Sequence, residues 1–150
     1  MSAEQRAADL TPAVSSPAAV PASPRPKVLL AEDDRFLRKA ARAALERKGW
    51  EVVVAANGEE AVEAASRGDV SLVLLDLILP KLNGFEVLLR LKANAATADV
   101  PVIVLTNLGQ YNDIQRAREQ GAAGYMIKGE MDLGELVARV ETVLAGQKPR

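Results

Sequence analysis

Cysteine and histidine are both absent from the 150 residues of this chain. Without cysteine there can be no disulfide, no thiolate nucleophile and no zinc–thiolate cluster. Without histidine the chain lacks the commonest general base and transition-metal ligand, and it cannot itself carry a phosphohistidine. Its chemistry must therefore depend on carboxylates, lysine, hydroxyl groups and a cation that prefers oxygen ligands.

Long apolar stretches and a signal-peptide pattern are absent as well. We therefore expect a cytoplasmic protein that does not enter a membrane. The 19 basic and 20 acidic residues give a formal net charge of −1, which offers no electrostatic basis for direct nucleic-acid binding. A chain of this length suffices for one well-packed domain, so we expect no second domain.

The first 26 residues differ in composition from the rest. Prolines at positions 12, 17, 21, 24 and 26 stand among alanine, serine and valine, without a sustained period. This composition predicts a disordered tail over residues 1–26, either an inert leader or a docking segment. The folded domain is predicted to cover residues 27–146, and residues 147–150 form a short C-terminal tail.

Short apolar runs alternate with segments of helical spacing from residue 27 onward. The runs are "KVLLA", "EVVVAA", "SLVLLD", "VPVIVL" and "GYMIK". Unbroken runs of this length predict strands buried on both faces of a parallel sheet. Gly49, Gly68 and Gly121 stand where the helices should end. The first helix is expected to bury an apolar stripe made of Phe36, Leu37, Ala40, Ala44 and Leu45. The sequence thus predicts an α/β, doubly wound, five-stranded sheet.

Polar residues stand where these strands end. Glu32 and Asp33 follow the first strand, Asp76 ends the third, Thr106 the fourth and Lys128 the fifth. Doubly wound sheets bind ligands beyond the carboxyl ends of their strands. Crowded carboxylates need a cation, for which Mg²⁺ is suited, while lysine and threonine can hold phosphoryl oxygens. One of the carboxylates can then act as a nucleophile.

Taken singly, these residues have ordinary structural interpretations. Asp76 could be a cap, Lys128 a solvated loop residue and Thr106 an ordinary strand residue, so only their combination indicates a site. In the same way, Asp34 begins the loop after the first strand and is expected to cap the first helix.

Four motifs in order carry a family resemblance. "LLAEDD", "LLDLILPKLNG", "VLT" and "YMIK" resemble the receiver (CheY-like) domain of bacterial two-component response regulators, over about residues 27–145. The resemblance implies a flavodoxin-like (βα)5 sheet with strand order 2-1-3-4-5. It also implies a single-domain response regulator that acts in a phosphorelay. Such a regulator catalyses only its own phosphorylation and dephosphorylation and is not an enzyme in the usual sense.

The resemblance implies the roles of the acidic residues. Asp76 would accept a phosphoryl group from the phosphohistidine of a sensor histidine kinase or a histidine phosphotransfer protein. Mg²⁺ would be held by Asp33 and Asp76, by Glu32 through water, and by the backbone carbonyl of Ile78.

The resemblance also implies how phosphorylation is read. Lys128 and Thr106 would bind the phosphoryl group, and Tyr125 would then rotate inward. Asn107, in a position where the family usually has alanine or serine, could restrict Thr106 or bond the phosphoryl group itself. The fourth helix, fifth strand and fifth helix would contact a downstream protein. The chain is expected to be a monomer or a weak phosphorylation-dependent dimer.

Two further departures from the family concern the surroundings of the site. Gly129 follows Lys128 where the family usually has proline, so the loop into the last helix should have a different shape. Ile78 and Leu108 occupy positions where polar side chains can orient the attacking water. Two aliphatic side chains there predict slow hydrolysis of the phosphorylated form.

Three other functions remain open on the sequence. A phosphorylation-independent receiver would act only by binding a partner. An FMN carrier of the same topology would need a phosphate loop, whereas "AEDDRF" is acidic. A phosphohydrolase with an aspartate nucleophile usually carries that residue after its first strand, where this chain has Glu32.

Overall fold

A computed structural model describes residues 25–107 and 111–146. Leu108 and nearly all of the predicted tails lie outside these ranges. In the described part, strands and helices alternate in the order β1 (Lys27–Ala31), α1 (Arg35–Arg47), β2 (Glu51–Ala55), α2 (Gly58–Ser66), β3 (Leu72–Asp76), α3 (Gly84–Ala93), β4 (Val102–Thr106), α4 (Tyr111–Glu119), β5 (Gly124–Ile127) and α5 (Leu133–Ala145). A 3-10 turn, Lys128–Glu130, separates β5 from α5.

The strands are parallel and lie in the order β2-β1-β3-β4-β5. This confirms the predicted flavodoxin-like topology. Every residue of β3 and of β4 is buried, as expected for strands covered by helices on both faces. Reversal of the strand order between β1 and β3 places the ends of these two strands side by side.

Alternate side chains of each strand divide the core into two layers. Leu29, Val73 and Val104 point to the layer that contains Ala61 of α2 and Val87 of α3. The neighbouring residues on the same strands, such as Leu30, Leu74 and Leu105, point to the layer beneath α1 and α5. The period of two explains why these strands read as unbroken apolar runs.

Polar caps and glycines set the helix boundaries. Asp34, Asn57, Asn83 and Asp132 each accept a hydrogen bond from a backbone N–H in the first turn of a helix. Gly49, Gly68 and Gly121 have φ values of 103°, 88° and 101°, so the predicted helix ends are confirmed.

The predicted buried stripe of α1 is partly wrong. Phe36 is 84% exposed, and Ala40 is also exposed, whereas Ala41, Ala44 and Leu45 are buried. At 3.6 residues per turn, Phe36 and Ala40 lie about 100° or more around the helix from Ala41. They therefore face away from the side of α1 that packs on the sheet.

The loop between β3 and α3 packs tightly against its surroundings. A Cβ atom on Gly84 would overlap the carbonyl oxygen of Asp76 and lie 2.5 Å from Cα of Leu77. A Cβ atom on Gly58, at the start of α2, would overlap the carbonyl group of Leu82. Close backbone approach at both glycines fixes the path of the chain directly after Asp76.

We expect Gly84→Ala to lower the free energy of unfolding by about 2 kcal/mol or more, because the added methyl group forces the β3–α3 loop to move. Gly146→Ala is the matched control, since its Cβ would make ordinary contacts at 3.6 Å. Urea denaturation measures both. Equal stability of the two variants would show that the loop has room to adjust.

Candidate functional site

The loop after β1 places one acid in the interior and two at the surface. Glu32 is fully buried, its N–H donates to the carbonyl of Ala55 at 3.0 Å, and its Oε2 accepts from the N–H of Asp34 at 3.0 Å. Asp33 and Asp34 are exposed. Oδ1 of Asp34 accepts from the backbone N–H of Phe36 at 2.9 Å, which confirms that Asp34 caps α1.

Lys128 joins the acids of two strands. Asp76, at the end of β3, is only 3% exposed, and its Oδ2 lies 2.9 Å from Lys128 Nζ. The same Nζ lies 3.0 Å and 3.2 Å from the two carboxylate oxygens of Glu32. The second oxygen of Asp76 accepts from the N–H of Ile78 at 3.0 Å. The predicted convergence of Glu32, Asp76 and Lys128 at one sheet edge is therefore present in the structure.

Burial and charge act against each other in this group. Burial raises the pKa of Glu32 above its ordinary value, and hydrogen bonds from Asp34 and Lys128 only partly offset that rise. Burial also tends to lower the pKa of Lys128, but hydrogen bonds to Asp76 and Glu32 outweigh it and raise this pKa. Lys128 thus stays protonated and offsets part of the negative charge of the buried carboxylates.

Three carboxylates form a group that can hold a cation. One oxygen each from Glu32, Asp33 and Asp76 lies within 4.8 Å of the other two. All are hard oxygen donors, which suits Mg²⁺ better than a metal that prefers nitrogen or sulfur. An open cavity of about 600 Å³ lies over them, lined by Asp33, Asp34, Leu37, Asp76, Ile78, Asn107, Lys128 and Gly129.

The remaining predicted residues lie at different depths. Thr106 is buried at the end of β4, and Asn107 follows it into the cavity wall. Tyr125 is half-buried on β5, where the guanidinium of Arg118 lies 5.4 Å from its ring centroid. Arg139 of α5 donates to the Tyr125 carbonyl at 3.4 Å. Tyr125 is thus contacted by an arginine from each of the helices α4 and α5.

One contact at the site was not predicted from the sequence. Arg38 of α1 donates from Nη1 to the backbone carbonyl of Glu32 at 2.9 Å. The sequence offers little signal for it, because α1 carries several basic residues that read as a solvated face.

Comparison with known proteins identifies the family. Residues 28–141 match the family described as the response regulator receiver domain. The chain belongs to this family. Receiver domains are components of two-component systems, so the predicted resemblance is confirmed.

Curated relatives of this receiver domain are longer than the chain. RpaA of Synechocystis, named a DNA-binding dual master transcriptional regulator, is 37% identical over 119 residues, which are 79% of this chain and 49% of RpaA. The gliding motility regulatory protein of Myxococcus xanthus is 36% identical, over 81% of this chain and 16% of that protein. The chain thus spans about half of one relative and a smaller share of the other.

Solved structures show the same receiver fold. The receiver domain of Francisella response regulator 1452 has a TM-score of 0.76 and 27% identity, with 83% of this chain and 100% of that chain covered. The receiver domain of the sensor histidine kinase PA1611 of Pseudomonas aeruginosa has a TM-score of 0.75 and 26% identity, with 82% and 100% covered. That structure contains a magnesium ion in its active site cleft.

Among the described residues of this chain, no helix has the length and apolar character to span a membrane.

We expect Glu32→Gln to change how stability depends on pH in metal-free buffer. The folded domain holds the Glu32 proton more tightly than the unfolded chain does, since burial raises this pKa above 4.5. Ionisation of Glu32 therefore costs folding free energy, and the cost grows as pH rises through the raised pKa. The free energy of unfolding of the unmodified protein should thus fall relative to Glu32→Gln as the pH rises above 4.5, the ordinary pKa of glutamate.

Urea denaturation at a series of pH values from below 4.5 upward measures the difference. Glu63→Gln, which alters an exposed glutamate of α2, is the control and should run parallel to the unmodified protein. A constant gap between the unmodified protein and Glu32→Gln would contradict the assignment of Glu32 as the group with the raised pKa.

Proposed function

We propose that this receiver domain accepts a phosphoryl group on Asp76, with Mg²⁺ bound, and signals by a change of conformation. One observation carries the proposal: Asp76 is nearly buried, lines an open cavity, and has Lys128 Nζ at 2.9 Å and two further acids beside it. A carboxylate held this way can reach a phosphorus atom in the cavity while water has restricted access to it.

The proposed reaction is a phosphoryl transfer. A carboxylate oxygen of Asp76 attacks the phosphorus of a phosphohistidine, the new O–P bond forms, and the N–P bond to the donor breaks. Lys128 already contacts Asp76 and would remain beside the transferred group as a point charge for its oxygens. The donor would be a sensor histidine kinase or a histidine phosphotransfer protein. On this proposal the domain catalyses its own phosphorylation and dephosphorylation only.

The proposed Mg²⁺ ligands of this chain are of two kinds, direct and water-mediated. Asp33 and Asp76 line the cavity and would bind Mg²⁺ directly, together with the backbone carbonyl of Ile78. Both oxygens of Glu32 are occupied by Asp34 and Lys128, which supports a water-mediated role for Glu32. Bound Mg²⁺ would neutralise the charge that builds up on the phosphoryl oxygens. The magnesium ion in the PA1611 receiver structure supports this proposal.

The signal would leave through the surface formed by α4, β5 and α5. Thr106 and Lys128 end the two neighbouring strands β4 and β5, and Thr106 pairs in register with Ile127. A phosphoryl group that draws Thr106 and Lys128 toward it would thereby act on β5, which carries Tyr125. The partner would be a downstream protein, met by a monomer or a weak phosphorylation-dependent dimer. Direct nucleic-acid binding is not part of the proposal.

A phosphorylation-independent interaction module is the second candidate. Its supporting observation is that Lys128 pairs with both Glu32 and Asp76, so each buried carboxylate already has a partner within the chain. Such a site could be stable as it stands and serve only to shape a protein surface.

We expect Asp76→Asn to abolish phosphorylation. Incubation with acetyl phosphate and Mg²⁺ should produce a retarded band of the unmodified protein on a phosphate-affinity gel, because the Asp76 carboxylate is the nucleophile. Asp69→Asn is the control, since Asp69 is exposed and pairs with Lys27 at the opposite edge of the sheet. That variant should be phosphorylated normally.

Two results would contradict the assignment. A retarded band that survives Asp76→Asn would place the phosphoryl group on another residue. A protein that accepts no phosphoryl group from acetyl phosphate, and shows no NMR shifts with beryllofluoride and Mg²⁺, would instead favour the interaction module.

We expect the phosphorylated form to be long-lived and Ile78→Asn to shorten its life several-fold. Ile78 is 67% exposed in the cavity wall, where an aliphatic side chain cannot hydrogen-bond a water molecule and an amide can orient one. Decay of the phosphoprotein after removal of acetyl phosphate measures the half-life. Leu89→Asn, at an exposed leucine of α3, is the control. Loss of the phosphoryl group from the phosphorylated unmodified protein within seconds would contradict this prediction.

A further inference from the structure

Arg38 makes a contact that bears on the geometry of the acidic loop. It lies one turn into α1, and side chains on a helix lean toward the N-terminus, so its guanidinium reaches back over the first turn. There Nη1 donates to the backbone carbonyl of Glu32 at 2.9 Å. This carbonyl belongs to the peptide group that joins Glu32 to Asp33.

That peptide group connects the two acids of the loop. On one side, the N–H of Glu32 donates to Ala55 and its carboxylate accepts from Asp34 and Lys128. On the other side, Asp33 is exposed and lines the cavity, and one of its carboxylate oxygens lies within 4.8 Å of oxygens of Glu32 and Asp76. The hydrogen bond from Arg38 therefore restrains the orientation of the peptide plane that precedes Asp33, and with it the direction of the Asp33 side chain.

We propose that Arg38 is a positioning residue for the divalent cation, because it holds the peptide group between Glu32 and Asp33 in the orientation that brings their carboxylates toward Asp76. The inference rests on the proposed function, since it concerns the same cation. Outer contacts of this kind commonly decide how well ligands are oriented for a metal.

The charge of Arg38 acts in the opposite direction from its hydrogen bond. A positive charge close to a cation site repels the cation, so removal of the charge alone should tighten Mg²⁺ binding. Loss of the hydrogen bond should weaken it, because the carboxylates are then less well oriented. The sign of the change in Mg²⁺ affinity therefore separates the two roles.

The test compares Arg38→Gln with Arg42→Gln. Both variants remove one positive charge from α1, but Arg42 pairs with Glu46 on the helix surface and does not contact the acidic loop. Isothermal titration of each protein with Mg²⁺ gives the dissociation constant. We expect about tenfold weaker binding in Arg38→Gln, a change of less than about twofold in Arg42→Gln, and a partial recovery in Arg38→Lys, which restores a donor.

A second measurement needs no metal. The carbonyl ¹³C shift of Glu32 and the hydrogen exchange rate of the Asp34 amide should change in metal-free Arg38→Gln and stay the same in Arg42→Gln. Unchanged or tighter Mg²⁺ binding by Arg38→Gln would overturn the inference and leave the proposed function intact. Failure of the unmodified protein to bind Mg²⁺ would overturn both.

Discussion

The bridge from Lys128 to Glu32 and Asp76 is the interaction on which the site depends. Carboxylates this deeply buried would be costly if they were unpaired, and loss of one partner from such a group typically costs about 3–5 kcal/mol. The three residues follow or end β1, β3 and β5. One ammonium group therefore links the edge strand β5 to the two interior strands β1 and β3 at the carboxyl edge of the sheet. Because Asp76 and Lys128 line the cavity, a charged ligand that enters it would interact directly with this ion pair.

The backbone around the bridge leaves little freedom to the loops. Close packing at Gly84 fixes the chain after Asp76, and the contacts of Asp34 and Arg38 fix the chain around Glu32. The surface of α4, β5 and α5 is tied to the same edge through the pairing of β4 with β5. The site lies at the carboxyl ends of β4 and β5, and β5 also belongs to the proposed output surface, so a movement of Thr106 or Lys128 would act directly on a strand of that surface.

Much of this arrangement could be predicted from the sequence, because its determinants are local. Unbroken apolar runs predict the buried strands correctly. The topology of a doubly wound sheet then places Glu32, Asp76 and Lys128 together, although they are far apart along the chain. The prediction for Phe36 is wrong because the apolar residues of α1 spread over more than one side of the helix, and only the side with Ala41, Ala44 and Leu45 is buried. The reach of Arg38 to the Glu32 carbonyl depends on the angle between α1 and its loop, which no residue pattern encodes.

Charge links the cation to the proposed phosphorylation. The cluster of three carboxylates and one ammonium group is negative, and a phosphoryl group adds further negative charge to the same cavity. On the proposed function, a divalent cation would offset this negative charge and so favour the phosphorylated state. Thermodynamic linkage then requires the converse: if Mg²⁺ favours phosphorylation of Asp76, phosphorylation raises the affinity for Mg²⁺ by the same factor. Residues that orient the cation, such as Arg38 on our inference, would therefore influence how completely the domain is phosphorylated without touching the phosphoryl group.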